Sequence, residues 1–256
     1  MKTYKGYLID LDGTMYRGKE RIEEAVQFVQ ELNRRGLPYL FVTNNSSKTK
    51  EDVASVLHNF EIPATSDHVY TTSMATANYI EKIKRDATVY CIGEEGIRQA
   101  LLEKGFTLTE EQPDFVVMGI DRSINYEKLT IACLAVRNGA RFISTNGDIA
   151  LPTERGLLPG NGSLTSVVAV STRVQPTFIG KPEAIIMEMA LEELGTAKED
   201  TLMIGDNYDT DILAGIRSGL DTLLVHTGVT QKEHLGLVDI QPKYTVNGLD
   251  EWKAFE

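Results

Sequence analysis

Gly6-Tyr7-Leu8-Ile9-Asp10-Leu11-Asp12-Gly13-Thr14 is the stretch on which the reading of this 256-residue chain turns. An apolar run ends in two carboxylates one residue apart, and a glycine follows at once. If residues 6 to 10 form a buried strand, alternation points Asp10 and Asp12 to one side at the carboxyl edge of a sheet, where open α/β folds bind ligands. Two carboxylates this close repel each other. A bound divalent cation relieves that repulsion, and clustered carboxylate oxygens suit Mg²⁺. Gly13 permits the sharp turn that the chain needs there. Asp-Gly is also an ordinary turn dipeptide, so the pair by itself does not separate a site from a polar loop.

Outward from this strand, short apolar runs alternate with amphipathic helical patterns, the grammar of βαβ units around a parallel sheet. Ile22, Ala25, Val26, Phe28, Val29 and Leu32 recur at helical spacing, and Gly36 follows as a stop. Tyr39 to Thr43 is the next strand, and a helix is expected from Thr49 to Leu57. Near the other end, Thr177 to Gly180, Thr201 to Ile204, Thr222 to Val225 and Tyr244 to Val246 read as strands. Helices are expected over Glu183 to Leu194 and from about Thr210 to Arg217. Between the halves, Val89 to Ile92, Phe115 to Gly119 and Arg141 to Ser144 read as strands, with helices over Gly96 to Lys104 and Tyr126 to Asn138. The expected fold class is therefore α/β: a doubly wound, Rossmann-like parallel-sheet core over residues 1–80 and 177–256, made discontinuous by an α/β unit inserted over residues 81–176.

Three further strand ends carry polar groups suited to one chemistry. Thr43, Asn44 and Asn45 end a strand with a hydroxyl and amides that can donate to phosphate oxygens. Lys181, in Gly180-Lys181-Pro182, places a cation between a strand and a helix N-terminus. In Gly205-Asp206-Asn207-Tyr208-Asp209-Thr210-Asp211, Asp206 can reach a metal directly, and Asp211 can orient its waters or the lysine from behind. Asp209 reads as an acidic residue at a helix N-terminus, where the macrodipole favours it.

With 26 Lys and Arg against 37 Asp and Glu, the formal net charge is −11. Nucleic acid and anionic membrane are poor partners for such a chain. An anionic substrate would have to be drawn by local cations, metal and backbone dipoles. Cys91 and Cys133 have no Cys or His at metal-ligand spacing and are expected to be buried thiols. Met1 to Asp12 has no signal-peptide pattern, and the uncharged stretch 156–172 is broken by Pro159, Gly160, Asn161 and Gly162, so a cytoplasmic protein is expected.

DLDGT at a strand end, followed in order by the threonine strand end, GKP and GDNYDTD, resembles the haloacid dehalogenase superfamily of phosphatases. The α/β insertion between the threonine and lysine motifs is similar to the C2-type cap of the NagD-like branch. The resemblance implies an Mg²⁺-dependent phosphomonoesterase with Asp10 as nucleophile and Asp12 as general acid and base. It also implies Thr43 and Lys181 as phosphate ligands, and Asp10, Asp206 and the backbone carbonyl of Asp12 as metal ligands. Thr145-Asn146-Gly147-Asp148 corresponds to a cap loop, with Asn146 expected to help choose the substrate; many relatives have Pro where Gly147 stands. A homodimer through the cap is common in this branch. Expected substrates are small phosphomonoesters: sugar or sugar-acid phosphates, nucleoside monophosphates and p-nitrophenyl phosphate. Two rivals stand beside this reading. A receiver module also combines an acidic pair, Thr and Lys, but phosphorylates an interior-strand Asp and lacks a large insertion. A phosphomutase of the same superfamily usually carries a helical cap after the first motif.

Overall fold

A computed structural model describes residues 2–253 of the chain. They divide into two compact units, one formed by residues 2–43, 50–70 and 181–253, the other by residues 44–49 and 71–180.

The first unit is built on a six-stranded sheet in the order Tyr244–Val246, Asp221–Val225, Thr201–Gly205, Gly6–Ile9, Tyr39–Thr43, Val69–Thr71. The first five strands are mutually parallel. Gly6–Ile9 and Thr201–Gly205 are buried along their whole length, as expected for strands covered on both faces. Alternation sorts their side chains: Tyr7, Ile9, Phe41, Leu202, Ile204, Leu223 and Val225 face one core, together with Val26, Val29 and Leu32 of the helix Glu23–Arg35. That helix has Glu23 and Glu24 in its first turn, Arg34 and Arg35 in its last, and Gly36 closing it in the left-handed conformation at φ 66°. The chain leaves Gly6–Ile9 toward Tyr39–Thr43 on one side and returns through Thr201–Gly205 on the other. This makes the carboxyl ends of Gly6–Ile9 and Thr201–Gly205 the switch point of a Rossmann-like sheet. Asp10 extends the ladder by one bond, its N–H donating to the carbonyl of Ile204 at 2.9 Å.

The second unit has a five-stranded parallel sheet in the order Thr177–Phe178, Arg141–Ser144, Phe115–Met118, Thr88–Ile92, Thr107–Leu108. Helices Thr72–Ile83, Glu95–Glu103, Tyr126–Arg137 and Asn161–Thr172 belong to it, as does the antiparallel hairpin Ala150–Thr153 with Gly156–Pro159. Its borders differ from those read in the sequence, 81 and 176. Thr177 and Phe178 pair with Ile143 and Ser144, and Gly180 N–H continues this pairing to the carbonyl of Thr145, so the strand belongs to the second unit. At the other border the helix Thr72–Ile83 packs against Glu95–Glu103, which carries residues 71–80 into the same unit. Residues 44–49 join it because Gly96 N–H donates to Ser47 O and Ile120 N–H to Ser46 Oγ.

Cys91 and Cys133 are half-buried rather than fully buried. Close packing still pushes the Cys91 thiol up to about 12, which keeps it protonated and unreactive. No helix among the described residues is long and apolar enough to cross a membrane.

Candidate active site

Four of the predicted residues meet at the carboxyl edge of the first unit's sheet. Asp10 follows the strand Gly6–Ile9, Asp206 follows Thr201–Gly205, and Asp211 lies in the wide, π-type turn Tyr208–Ile212 that precedes the helix Leu213–Ser218. Each offers a carboxylate oxygen, and these oxygens lie within 4.8 Å of one another. All three residues are buried. Lys181, 3% exposed, brings the compensating charge. Its Nζ donates to Asp10 Oδ1 at 2.5 Å and to the carbonyl of Val42 at 3.0 Å, and pairs with Asp211 Oδ1 at 2.7 Å. One buried cation thus faces three buried carboxylates. Burial and the neighbouring charges of Asp10 and Asp211 push the Asp206 carboxyl up to about 8. Burial and Asp10 push Asp211 up as well, against the pull of Lys181.

This excess of negative charge, with an all-oxygen donor set, is what a hard divalent cation would relieve. Asp211 takes part differently from Asp10 and Asp206. Its Oδ1 pairs with Lys181, and its Oδ2 accepts the Asn207 N–H at 3.1 Å, so it holds the lysine. Asp209, two residues earlier, is exposed. Gly205 makes room for this arrangement: a Cβ there would sit 2.3 Å from that of Asp211.

The Asp12 side chain is outside the carboxylate cluster and exposed. Its surroundings nevertheless desolvate the carboxyl enough to raise its pKa, opposed by a hydrogen bond from the Gly18 backbone. A raised carboxyl favours proton donation. Thr43 ends its strand half-buried, one residue beyond the carbonyl that Lys181 holds.

Asn44, Asn45 and Asn146 belong to the second unit, where their bonds shape its loops. Asn45 Oδ1 accepts from the backbone of Ser47 and Lys48 and the hydroxyl of Ser47, which shapes the turn. Asn146 is buried. Its amide nitrogen donates to the Asn44 carbonyl at 2.9 Å and its oxygen accepts the Asp148 N–H at 3.2 Å. Asn44 in turn donates to both carboxylate oxygens of Asp148 at 3.3 Å. The loop is further pinned by Gly160 and Gly162, where a Cβ would meet the Asp148 and Gly147 carbonyls at 2.1 and 2.3 Å. The Asn146 amide thus fixes the loop through both of its ends.

Sequence reading passed over Thr14, Gly228 and Val229. Thr14 Oγ1 lies 3.2 Å from Asp206 Oδ1 and 3.4 Å from Asp10 Oδ2, and Val229 N–H donates to Asp206 Oδ2 at 2.7 Å. Thr14 sits inside the DLDGT stretch, but a loop that contributes only backbone leaves no chemical mark in a sequence.

A family model described as haloacid dehalogenase-like hydrolase matches residues 7–107, and one described as HAD-hydrolase-like matches residues 178–252. The chain belongs to the haloacid dehalogenase superfamily. Similar members of the superfamily include the 5'-nucleotidase YutF of Bacillus subtilis, 67% identical over 98% of both chains. The acid sugar phosphatase of Staphylococcus haemolyticus is 54% identical over 98% of this chain and 95% of its own. Among solved structures, a thermostable NPPase of Geobacillus stearothermophilus superposes with a TM-score of 0.94 at 60% identity, covering 99% of both chains. NagD of Escherichia coli superposes with a TM-score of 0.93 at 32% identity, over 99% of this chain and 100% of its own. The chain is a NagD-like phosphatase of this superfamily, a hydrolase of phosphoric monoesters on small phosphorylated substrates. Neither the receiver module nor the phosphomutase survives as a reading. Hydrolases of this superfamily generally use Mg²⁺, which agrees with the carboxylate cluster.

Proposed function

We propose that this phosphatase works in two steps through a phosphorylated Asp10, with Asp12 as the acid and base. The observation that carries the proposal is the buried contact of Lys181 with Asp10, backed by Asp211. It orients Asp10 and holds it beside a positive charge. In the first step a carboxylate oxygen of Asp10 forms a bond to phosphorus as the bond to the leaving oxygen breaks, and Asp12 gives that oxygen its proton. In the second, Asp12 takes a proton from water as the water oxygen attacks phosphorus, which releases inorganic phosphate and restores the Asp10 carboxylate. Lys181 and Thr43 serve the phosphoryl oxygens, and removing one such partner commonly costs a factor of about 10² to 10³ in rate. Asp10, Asp206 and the backbone carbonyl of Asp12 would hold Mg²⁺. When bound, the ion offsets the negative charge of the phosphate and its transition state.

Residues 1–80 and 177–256, with the borders adjusted as the two units require, form the catalytic core in this reading, and the second unit is its cap. The names of the two curated relatives direct the substrate choice. The higher identity to a 5'-nucleotidase ranks nucleoside 5'-monophosphates first and acid sugar phosphates second. The chain acts in the cytoplasm, where its free thiols stay reduced, and a homodimer through the cap is part of the same reading. The test is acid quench during turnover followed by mass mapping of Asp10, with kcat/KM across nucleoside monophosphates, phosphorylated sugar acids and p-nitrophenyl phosphate. Absence of phosphate on Asp10 in both the natural chain and Asp12→Ala would remove the two-step scheme.

A further inference from the structure

The loop after the strand Asp221–Val225 ends at the same sheet edge as the carboxylates, yet it carries no acidic group and matches none of the motifs that mark the site. Its backbone encloses Asp206. Val229 N–H donates to Asp206 Oδ2 at 2.7 Å, and Thr230 N–H donates to the Asp206 carbonyl at 3.1 Å. Gly228 lies so close that a Cβ there would fall 2.0 Å from Asp206 Oδ2. On the other side a Cβ on Gly13, at φ 91°, would fall 2.4 Å from the same atom. Asp206 therefore sits in a slot between two glycines, and the width of that slot depends on how the loop is held against the turn after Asp12.

Thr227 supplies that attachment. It is buried, and its Oγ1 donates to the carbonyl of Gly13 at 2.6 Å. Its own carbonyl accepts from Nε of Arg17, which lies on the hairpin Tyr16–Arg17 with Glu20–Arg21 that grows out of the same turn. One residue thus ties both walls of the Asp206 slot together, while a second ties the loop to the hairpin.

We propose that Thr227 is a positioning residue for divalent-cation binding: its hydroxyl holds the loop 227–229 against Gly13, and so fixes the direction in which Asp206 presents its carboxylate. The proposal rests on Asp206 as a metal ligand. Outer groups that orient a ligand in this way typically contribute about 10- to 100-fold to metal affinity. Arg17 acts on the same loop from one residue further out, with a smaller effect.

Titration calorimetry of metal-free protein with Mg²⁺ alone tests this without turnover. Thr227→Val keeps the shape and removes the donor; it should weaken Mg²⁺ about 10-fold or more, and Thr227→Ser should bind within about 3-fold of the natural chain. Arg17→Met, whose side chain is exposed, should weaken Mg²⁺ less than Thr227→Val does, and it provides the test if the valine variant does not fold. An unchanged Mg²⁺ affinity in Thr227→Val, with only a lowered melting temperature, would reduce Thr227 to a structural residue and overturn the proposal. So would equal weakening in the serine variant, or an unchanged affinity in Arg17→Met if that variant has to decide. Failure of the natural chain to bind Mg²⁺, or an unaltered affinity in Asp206→Asn, would instead overturn the metal assignment itself.

Discussion

Lys181 Nζ stands 2.5 Å from Asp10 Oδ1, and both residues are buried. A lysine this deep is tolerated because Asp10, Asp211 and the Val42 carbonyl match its three donors, so the charge is desolvated without being left unpaired. The same contact holds the Asp10 carboxylate in one orientation at the sheet edge, beside a positive charge.

Lys181→Met should therefore cost both stability and function. Removing one partner from a buried ionic group costs about 3–5 kcal/mol, because the remaining charges are stranded. Chemical denaturation measures that loss. Turnover of p-nitrophenyl phosphate should fall about 10² to 10³-fold, and vanadate binding should weaken. Unchanged vanadate affinity would show that Lys181 serves the fold alone.

Asp10→Asn is nearly isosteric and should leave the fold intact while lowering kcat by about 10³-fold or more, as expected for a lost nucleophile. Circular dichroism and steady-state rates measured together decide it. Retention of a tenth of the natural kcat would sink the assignment of Asp10.

The carboxylate cluster should make the metal-free chain sensitive to pH. Asp206 is pushed up to about 8 from an ordinary carboxylate value, and Asp211 moves the same way. Between the unfolded and folded pKa values the folded chain holds protons that the unfolded chain does not, so these groups favour folding at low pH and lose that contribution as pH rises through the folded value. Calorimetric melting of metal-free protein should show Asp206 and Asp211 lowering stability between about pH 4 and 8. Saturating Mg²⁺ should remove most of the decline, because the ion replaces the proton as counter-charge. Asp206→Asn should flatten the metal-free profile, and an unchanged slope in that variant would refute the assignment.

Asn146→Ala should act through the loop it ties. Loss of a buried amide with both ends bonded costs about 1–3 kcal/mol. If the amide only fixes the loop, kcat/KM should fall in similar proportion on every substrate. A reordered ranking across the panel would return Asn146 to direct substrate choice. Gly147→Ala is the mild companion: the added Cβ would lie 3.6 Å from Phe178, an ordinary contact, and φ is not in the positive region. A stability gain of about 0.4–1 kcal/mol is expected from the less flexible unfolded chain.

Periodicity and strand-end chemistry determined much of this protein by themselves. Gly6–Ile9, Tyr39–Thr43 and Thr201–Gly205 carry unbroken apolar runs because both faces of the sheet are covered; Asp10, Lys181 and Asp206 stand out because charge directly after an apolar run is costly without a purpose, and Asp211 because it closes the acidic stretch that follows Asp206. What only the tertiary structure decided depends on contacts between distant segments. Thr177–Phe178 has the same local pattern as a core strand, and its pairing with Ile143 and Ser144 places it in the other unit. Asn146 looks like a reserve of hydrogen-bond donors until the Asn44 carbonyl, 102 residues away, is seen to accept from it. Thr227, Gly228 and Val229 act on Asp206 through a hydroxyl, an absent Cβ and a backbone N–H. Such groups occur throughout the chain, so their meaning comes from position alone, and position is set by the fold.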